Sequence, residues 1–133
     1  MSALKRIQSF FSTHTETSED HLDGSLRSRY YKTTVKKAME AVQTVAKSSK
    51  DAAVTSVSEE RGEISISISK PKKALLIATV ISVRPFETAV DFSASTDTPL
   101  PTDFGNSQRV IRQFYQQLDA TLPYVGSGLY PRA

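Results

Sequence analysis

The run EISISISK, residues 63–70, restricts the folds open to this chain more than any other stretch. Isoleucine fills every second position and serine the positions between. A helix would scatter Ile64, Ile66 and Ile68 around its circumference, whereas a strand puts all three on one face and Ser65, Ser67 and Ser69 on the other. β-Branched side chains also favour the extended backbone. A strand with one apolar and one polar face belongs in an antiparallel sheet packed on a single side.

The neighbouring runs extend this pattern into a meander. AAVTSVSEE precedes it through ERGE, where Gly62 can take a positive φ in a tight hairpin, and a loop of Arg61 and Gly62 predicts Val57 opposite Ile66. After it, Ala74 to Arg84 carries Leu75, Ile77, Ile81 and Val83 on one face and Leu76, Ala78 and Val80 on the other. With both faces apolar, this reads as an interior strand. The next run has Thr88, Val90, Phe92 and Ala94 as its apolar face. A four-residue loop RPFE, with Pro85 at the second position of a type I turn, predicts Val83 opposite Thr88, Ile81 opposite Val90 and Ile77 opposite Ala94. On that register Leu76, Ala78 and Val80 form the apolar centre of an open face, framed by Ser65, Ser67, Ser69, Ser82, Ala89, Asp91, Ser93 and Ser95.

Two segments show helical spacing. Val35, Ala38, Met39, Val42, Val45 and Ala46 fall at steps of three and four behind Thr33 or Thr34 as caps. Val110, Ile111, Phe114, Leu118 and Leu122 form a second stripe between a capping Asp103 and Pro123. SLRSRYY, before the first helix, alternates weakly and reads as a short strand. The expected fold is therefore α+β, a two-layer sandwich in which an antiparallel four- to five-stranded meander sheet carries two helices on one face, in the order β-α-β-β-β-β-α. A chain of 133 residues suits one such core.

Ahead of this domain, assigned to residues 25–133, residues 1–24 read as an N-terminal amphipathic segment and a polar linker. Leu4, Ile7 and Phe11 share a helical stripe, with Phe10 beside it and Lys5 and Arg6 off it. From Ser12 to Gly24 the only aliphatic side chain is Leu22, too little apolar surface to offset the entropy of ordering.

Composition narrows the chemistry. The absence of cysteine rules out disulfides, thiolate nucleophiles and zinc sites that need sulfur. Seventeen basic against fourteen acidic residues leave a net charge of +3 spread along the chain, whereas nucleic-acid binders concentrate cations on one face. Nucleic acid is disfavoured on that ground, although RSRYYK, Arg27 to Lys32, does mix cations with rings that could stack on bases. The longest apolar run, ALLIATVISV, is strand length, short of the roughly 20 residues of a membrane span. The first residues lack the apolar stretch of a secretory signal, so a cytoplasmic location is expected. His14 and His21 fall in the expected linker, where nothing would hold them for catalysis or metal binding. The DFG of Asp103–Gly105 has none of the other kinase elements around it, and nucleotide-binding and nucleophile-elbow motifs are absent. No catalytic residue, metal or cofactor is assigned.

Four pieces together, RSRYYKT, SEERGEI, VRPFETAVDFS and DFGNSQRVIRQFYQQLD, resemble an uncharacterised family of small bacterial cytosolic proteins, a domain of unknown function. The resemblance runs from Leu26 to Val125 and implies a bacterial cytosolic protein with no known activity, cofactor or catalytic residue. Where relatives carry a basic Arg-Ser-Ala-Ser run, this chain has DFSAS, with Asp91 and Phe92 displacing the basic position.

The functional expectation is a non-enzymatic interaction domain that meets a partner protein or a second copy through Leu76, Ala78 and Val80. Two alternatives stand beside it. One is a small-ligand or anion site built from Arg84, Asp91, Asp103, Asn106 and Arg109. The other is weak attachment to a membrane surface, or a partner contact, through Leu4, Lys5, Arg6, Ile7, Phe10 and Phe11.

Overall fold

The computed structural model describes residues 13–127, so the segment from Leu4 to Phe11 lies outside the described residues. Among the described residues, seven strands and two helices follow in the order β1 (His14–Glu16), β2 (Arg29–Tyr31), α1 (Val35–Lys47), β3 (Ala52–Ser58), β4 (Glu63–Ile68), β5 (Ala74–Arg84), β6 (Glu87–Thr96), α2 (Asn106–Thr121) and β7 (Tyr124–Ser127). A 3-10 turn, Gly24–Leu26, lies between β1 and β2. The fold is α+β, as expected, with a larger sheet than the four to five strands the sequence pattern supports.

All paired strands are antiparallel, in the order β3-β4-β5-β6-β2-β7, and β1 pairs with β6 off that path. One edge of β6 is shared in series: β2 takes Thr88 to Val90 and β1 takes Ser93 to Ser95. β1 falls within the stretch expected to be an unstructured linker. Its apolar content is negligible; what recruits it is the row of N–H and C=O groups along β6, which must be paired where water is excluded. Residues 17–28 then leave the sheet opposite Asp91 and return as β2.

The connections explain why the helices share a side. β2 and β3 run parallel and are joined through α1; β6 and β7 run parallel and are joined through α2. The two crossovers depart from antiparallel neighbours in opposite directions across the sheet. With the usual right hand for both, each helix lands on the same face. α1, capped by Thr34 through Lys37 N, buries Ala38, Met39, Ala41, Val42, Val45 and Ala46. α2 buries Val110, Ile111, Phe114, Tyr115 and Leu118. They close on Ile64, Ile66 and Ile68 of β4, Leu76, Ala78 and Val80 of β5, and Val90, Phe92 and Ala94 of β6 in one core. Full burial of such an aliphatic side chain stabilises by about 1.5–3 kcal/mol, an upper figure because the unfolded chain is not fully extended. Phe92 meets the ring edges of Phe114 and Tyr115 at centroid distances of 5.8 and 4.9 Å, and the Tyr115 hydroxyl donates to Val90 O at 2.7 Å.

The β5–β6 register corrects the sequence expectation. At the tip Arg84 pairs with Glu87, in step with the predicted turn, but Val83 bulges out and the next pair is Ser82 with Thr88. From there Val80 faces Val90, Ala78 faces Phe92 and Leu76 faces Ala94. One inserted residue turns every β5 side chain to the opposite side of the sheet. Leu76, Ala78 and Val80, expected on the open face, are the buried set, at 0, 0 and 3% exposure. The β3–β4 hairpin also differs: a four-residue loop, Glu59 to Gly62, sets Val57 opposite Ile64, and a second irregularity near Thr55 puts Val54 opposite Ile66.

Gly62 closes that hairpin with φ +68°, and its carbonyl accepts from Val80 N at 2.8 Å. An added Cβ would stand 2.4 Å from Val80 O. Gly62→Ala should therefore destabilise the fold by about 1–3 kcal/mol through positive-φ strain and a backbone clash. A urea midpoint equal to wild type would contradict this.

Candidate interaction surface

The open face of the sheet now has defined occupants. Along β5 it presents Leu75, Ile77, Thr79 and Ile81. Leu75 lies between Ser67 and Ser95, Ile77 between Ser65 and Ser93, Thr79 between Glu63 and Asp91, and Ile81 beside Ala89. β1 adds His14 and Glu16, opposite Ser95 and Ser93. Ser65, Ser67, Ser93 and Ser95 were placed on this face correctly by their alternation with buried side chains, whereas Ser82, expected here as well, turns with β5 to the other side and pairs with Thr88. Leu75 and Ile81 are 46 and 50% exposed, and at the hairpin tip Val83 and Phe86 reach 44 and 68%. Pairing with β4 ends at Thr79, so Ile81 to Arg84 have β6 as their one strand neighbour, and only the turn beyond Ser82 and Thr88 extends past the pairing of β6 with β2.

The residues proposed from sequence as an anion site are dispersed. Arg84 sits on the exposed tip, 3.6 Å from Glu87, a solvent-screened pair of little energetic weight. The Asp91 carboxylate accepts from Thr17 Oγ1 at 2.6 Å and from Ser28, clasping both ends of the 17–28 excursion to β6. Only Asp103, Asn106 and Arg109 come together, at the start of α2, and there they serve the helix. Asp103 Oδ2 accepts from Ser107 N and Thr96 Oγ1 at 2.9 and 2.7 Å, and its Oδ1 accepts from Gly105 N at 2.9 Å. Asn106 donates to Thr96 Oγ1, and Arg109 donates to Asn106. Burial alone would raise the Asp103 pKa; hydrogen bonds from Thr96, Ser107 and Gly105 outweigh it and hold the carboxyl below its usual range. The depression beside this cluster, with Lys72 and Phe104 on its rim, encloses about 240 Å³. That is below the roughly 300–1,000 Å³ of small-molecule sites.

The histidines are held after all. His14 on β1 hydrogen-bonds Ser95 and, at 2.9 Å, Glu16, and His21 Nδ1 accepts from Asp23 N at 3.0 Å. Burial lowers the His21 pKa. Among the described residues no group of three His, Asp or Glu side chains is arranged to hold a metal ion, and no helix is long and apolar enough to cross a membrane.

Two polar clusters were not foreseen, one internal and one partly exposed. Arg29 lies with its guanidinium 4.6 Å from the Tyr115 ring centre and 5.6 Å from that of Tyr124, and donates to Asp119, which also accepts from the Tyr31 hydroxyl at 2.8 Å. Burial, then the neighbouring Asp119, pushes the Tyr31 hydroxyl pKa far up. The one basic residue of RSRYYK that meets rings thus does so inside the fold, where it stacks on protein instead of bases. The available signal was the strand period itself, which puts Arg29 and Tyr31 on one face. The second cluster ties the 17–28 excursion to α2. Arg112 donates to Asp23 Oδ2 at 2.6 Å and to Ser25 Oγ at 2.8 Å.

Comparison of the chain with protein-family models, with curated proteins and with solved structures returned no match.

Burial opposes ionisation of Asp23, but hydrogen bonds from Ser25 and then Arg112 bring its pKa down to about 2. A depressed folded-state pKa stabilises above the unfolded value and is lost as pH falls through the folded one. The difference in melting temperature between wild type and Asp23→Asn should be largest near about pH 5, narrow toward about pH 2, and shrink with added salt because the pair is partly exposed. A difference that stays constant across that range would remove this pair from the account of acid stability.

Proposed function

We propose that this protein is a non-enzymatic interaction domain that binds a partner protein through the open face of its sheet. The observation that carries the reading is the pair of large aliphatic side chains Leu75 and Ile81, about half exposed on one face of β5 with the more buried Ile77 between them, and the exposed Val83 and Phe86 at the adjoining tip. Exposed aliphatics gathered on one face of a folded domain mark a contact surface, here in two parts separated by Thr79. The reading was reached from sequence with the wrong side of β5; the bulge at Val83 exchanges the residues and leaves a face with longer aliphatics. Glu16 and Glu63 border the stripe, so the partner that fits is an apolar surface flanked by basic groups. A cytosolic setting and kinship with the small bacterial family belong to this proposal, supported by the sequence pieces that resemble that family.

A second reading, ligand binding, draws on one observation. A groove of about 420 Å³ between α1, α2 and the start of β3 has Lys70 and Arg109 against one carboxylate, Asp51, beside apolar Val45, Ile68 and Phe114, and the excess of cations suits a small anion with an apolar body.

A partner recovered with wild type and reconstituted from purified components should lose at least about tenfold in affinity to Leu75→Glu and Ile81→Glu, the range of a buried contact residue. Both positions are solvent-facing, so the melting temperature should hold. Binding unaffected by either charge sinks the open-face assignment, and a melting shift with small anions that Arg109→Gln abolishes would favour the second reading.

A further inference from the structure

Phe104 is held outward under strain. Its backbone sits at φ +54°, in the left-handed region that a bulky side chain rarely adopts, and its ring is more than half exposed. Strain kept at an exposed ring points to a use outside the fold. Two loops meet around it. Ile68, Ala74 and Thr96 form the last rung of β4, β5 and β6, and residues 69–73 and 97–105 both leave from that rung. Asp97 N donates to Lys73 O at 2.8 Å, and Lys72 Nζ donates to Asp103 O at 3.4 Å and lies 5.4 Å from the centre of the Phe104 ring. Leu100, on the second loop, is also more than half exposed, and Pro99 and Pro101 on either side of it reduce the chain freedom lost on contact. Cations surround these tips: Lys70 and Lys73 are exposed, Lys72 is half-buried, and Arg109 shares the depression beside Phe104. Against them stand Asp97, exposed, and Asp51, in the groove with Lys70 and Arg109. Asp103, next to Phe104 in the chain, turns its carboxylate inward to Thr96 and to the backbone of Gly105 and Ser107.

We propose that this end of the sheet is a contact for an anionic membrane surface, in which Phe104 and Leu100 enter the headgroup region while Lys70, Lys72, Lys73 and Arg109 meet the lipid phosphates and carboxylates. Charge complementarity selects the anionic lipid. Shape selects a lipid surface over a protein: a protein contact centres on anchors packed into matching pockets, whereas apolar tips on loops, ringed by cations, require no matching shape and suit a fluid interface. The depression beside Phe104, at about 240 Å³, is too small to receive a partner's anchor of its own. Lysine and arginine near such a surface contribute about fivefold each to binding, and the apolar tips add to that. The surface lies apart from Leu75 and Ile81 and does not depend on the open-face reading.

The test uses the full chain. It should co-sediment with vesicles of phosphatidylcholine and phosphatidylserine more than with phosphatidylcholine alone, and added salt should weaken the binding. Lys70→Gln and Lys73→Gln should each cost about fivefold. Phe104→Gly should cost about tenfold, the worth of burying an aromatic side chain, without lowering the melting temperature, because glycine adopts a positive φ freely. The chain has no tryptophan, so Phe104→Trp reports insertion directly: its emission should shift to the blue on the mixed vesicles and be quenched by brominated lipid. Sedimentation unchanged in Phe104→Gly and in both lysine variants, with no emission shift, overturns the proposal and gives any vesicle binding to another part of the chain. A melting temperature that falls with binding in Phe104→Gly overturns it as well, by making the ring structural. So does a protein that ignores vesicles but binds inorganic phosphate or polyglutamate through Lys70, which would assign a small-anion or acidic-protein site. None of these results bears on Leu75 and Ile81.

Discussion

The bulge at Val83 decides which side of β5 is core, and the rest of the molecule is arranged around that choice. β5 is apolar on both faces, so burial of area would favour turning Leu75, Ile77, Ile81 and Val83 inward. The fold turns Leu76, Ala78 and Val80 inward instead. The reason lies across the layer. Ala78 sits between Ile64 and Phe92, whose ring must meet Phe114 and Tyr115 from α2. A small side chain there leaves room for three aromatic rings at interior density, where isoleucine would overfill the layer. The larger aliphatics are left on the outside, and an interaction surface is the result of a packing requirement on the other face.

β6 is the hub of this arrangement. It pairs with β5 along its full length and with β2 and β1 in turn on its other edge. The excursion between them is fastened at Asp91 and again at Arg112, so a polar stretch with two aliphatics, one of them the buried Leu26, is ordered by hydrogen bonds and a single apolar anchor. Arg29, Tyr31 and Asp119 fasten β2 to α2 in the same manner. Polar groups thus hold the periphery while apolar ones fill the centre, and the polar clusters that looked most like ligand sites are absorbed by this work.

Much of the fold was legible residue by residue. The period-two run at Ile64, Ile66 and Ile68 identified both faces of β4, and Thr88, Val90, Phe92 and Ala94 identified the core side of β6. Steps of three and four located α1 and α2, and Thr34 caps α1 as expected; the N-cap of α2 is Gly105, and the expected Asp103 accepts from Ser107 N from two residues earlier. The site was less legible. Its serines on β4 and β6 were assigned correctly, but Ser82 and the aliphatic centre on β5 were exchanged with the opposite side, since a bulge leaves no trace in periodicity. β1 and β7 are three and four residues long, too short for a period to register, and Arg29 reads as a surface cation until Asp119 and two tyrosines converge on it.

By itself, then, the sequence determined the longer strands and both helices and which side chains within each share a face, because backbone sterics and residue period act over a few neighbouring positions. Only the tertiary structure decided which face of β5 is inward, which strands complete the edge of β6, and which charges find partners inside. Those outcomes depend on the shape and unpaired backbone groups of segments distant in the chain, and they exist only once α2 is seated on the sheet.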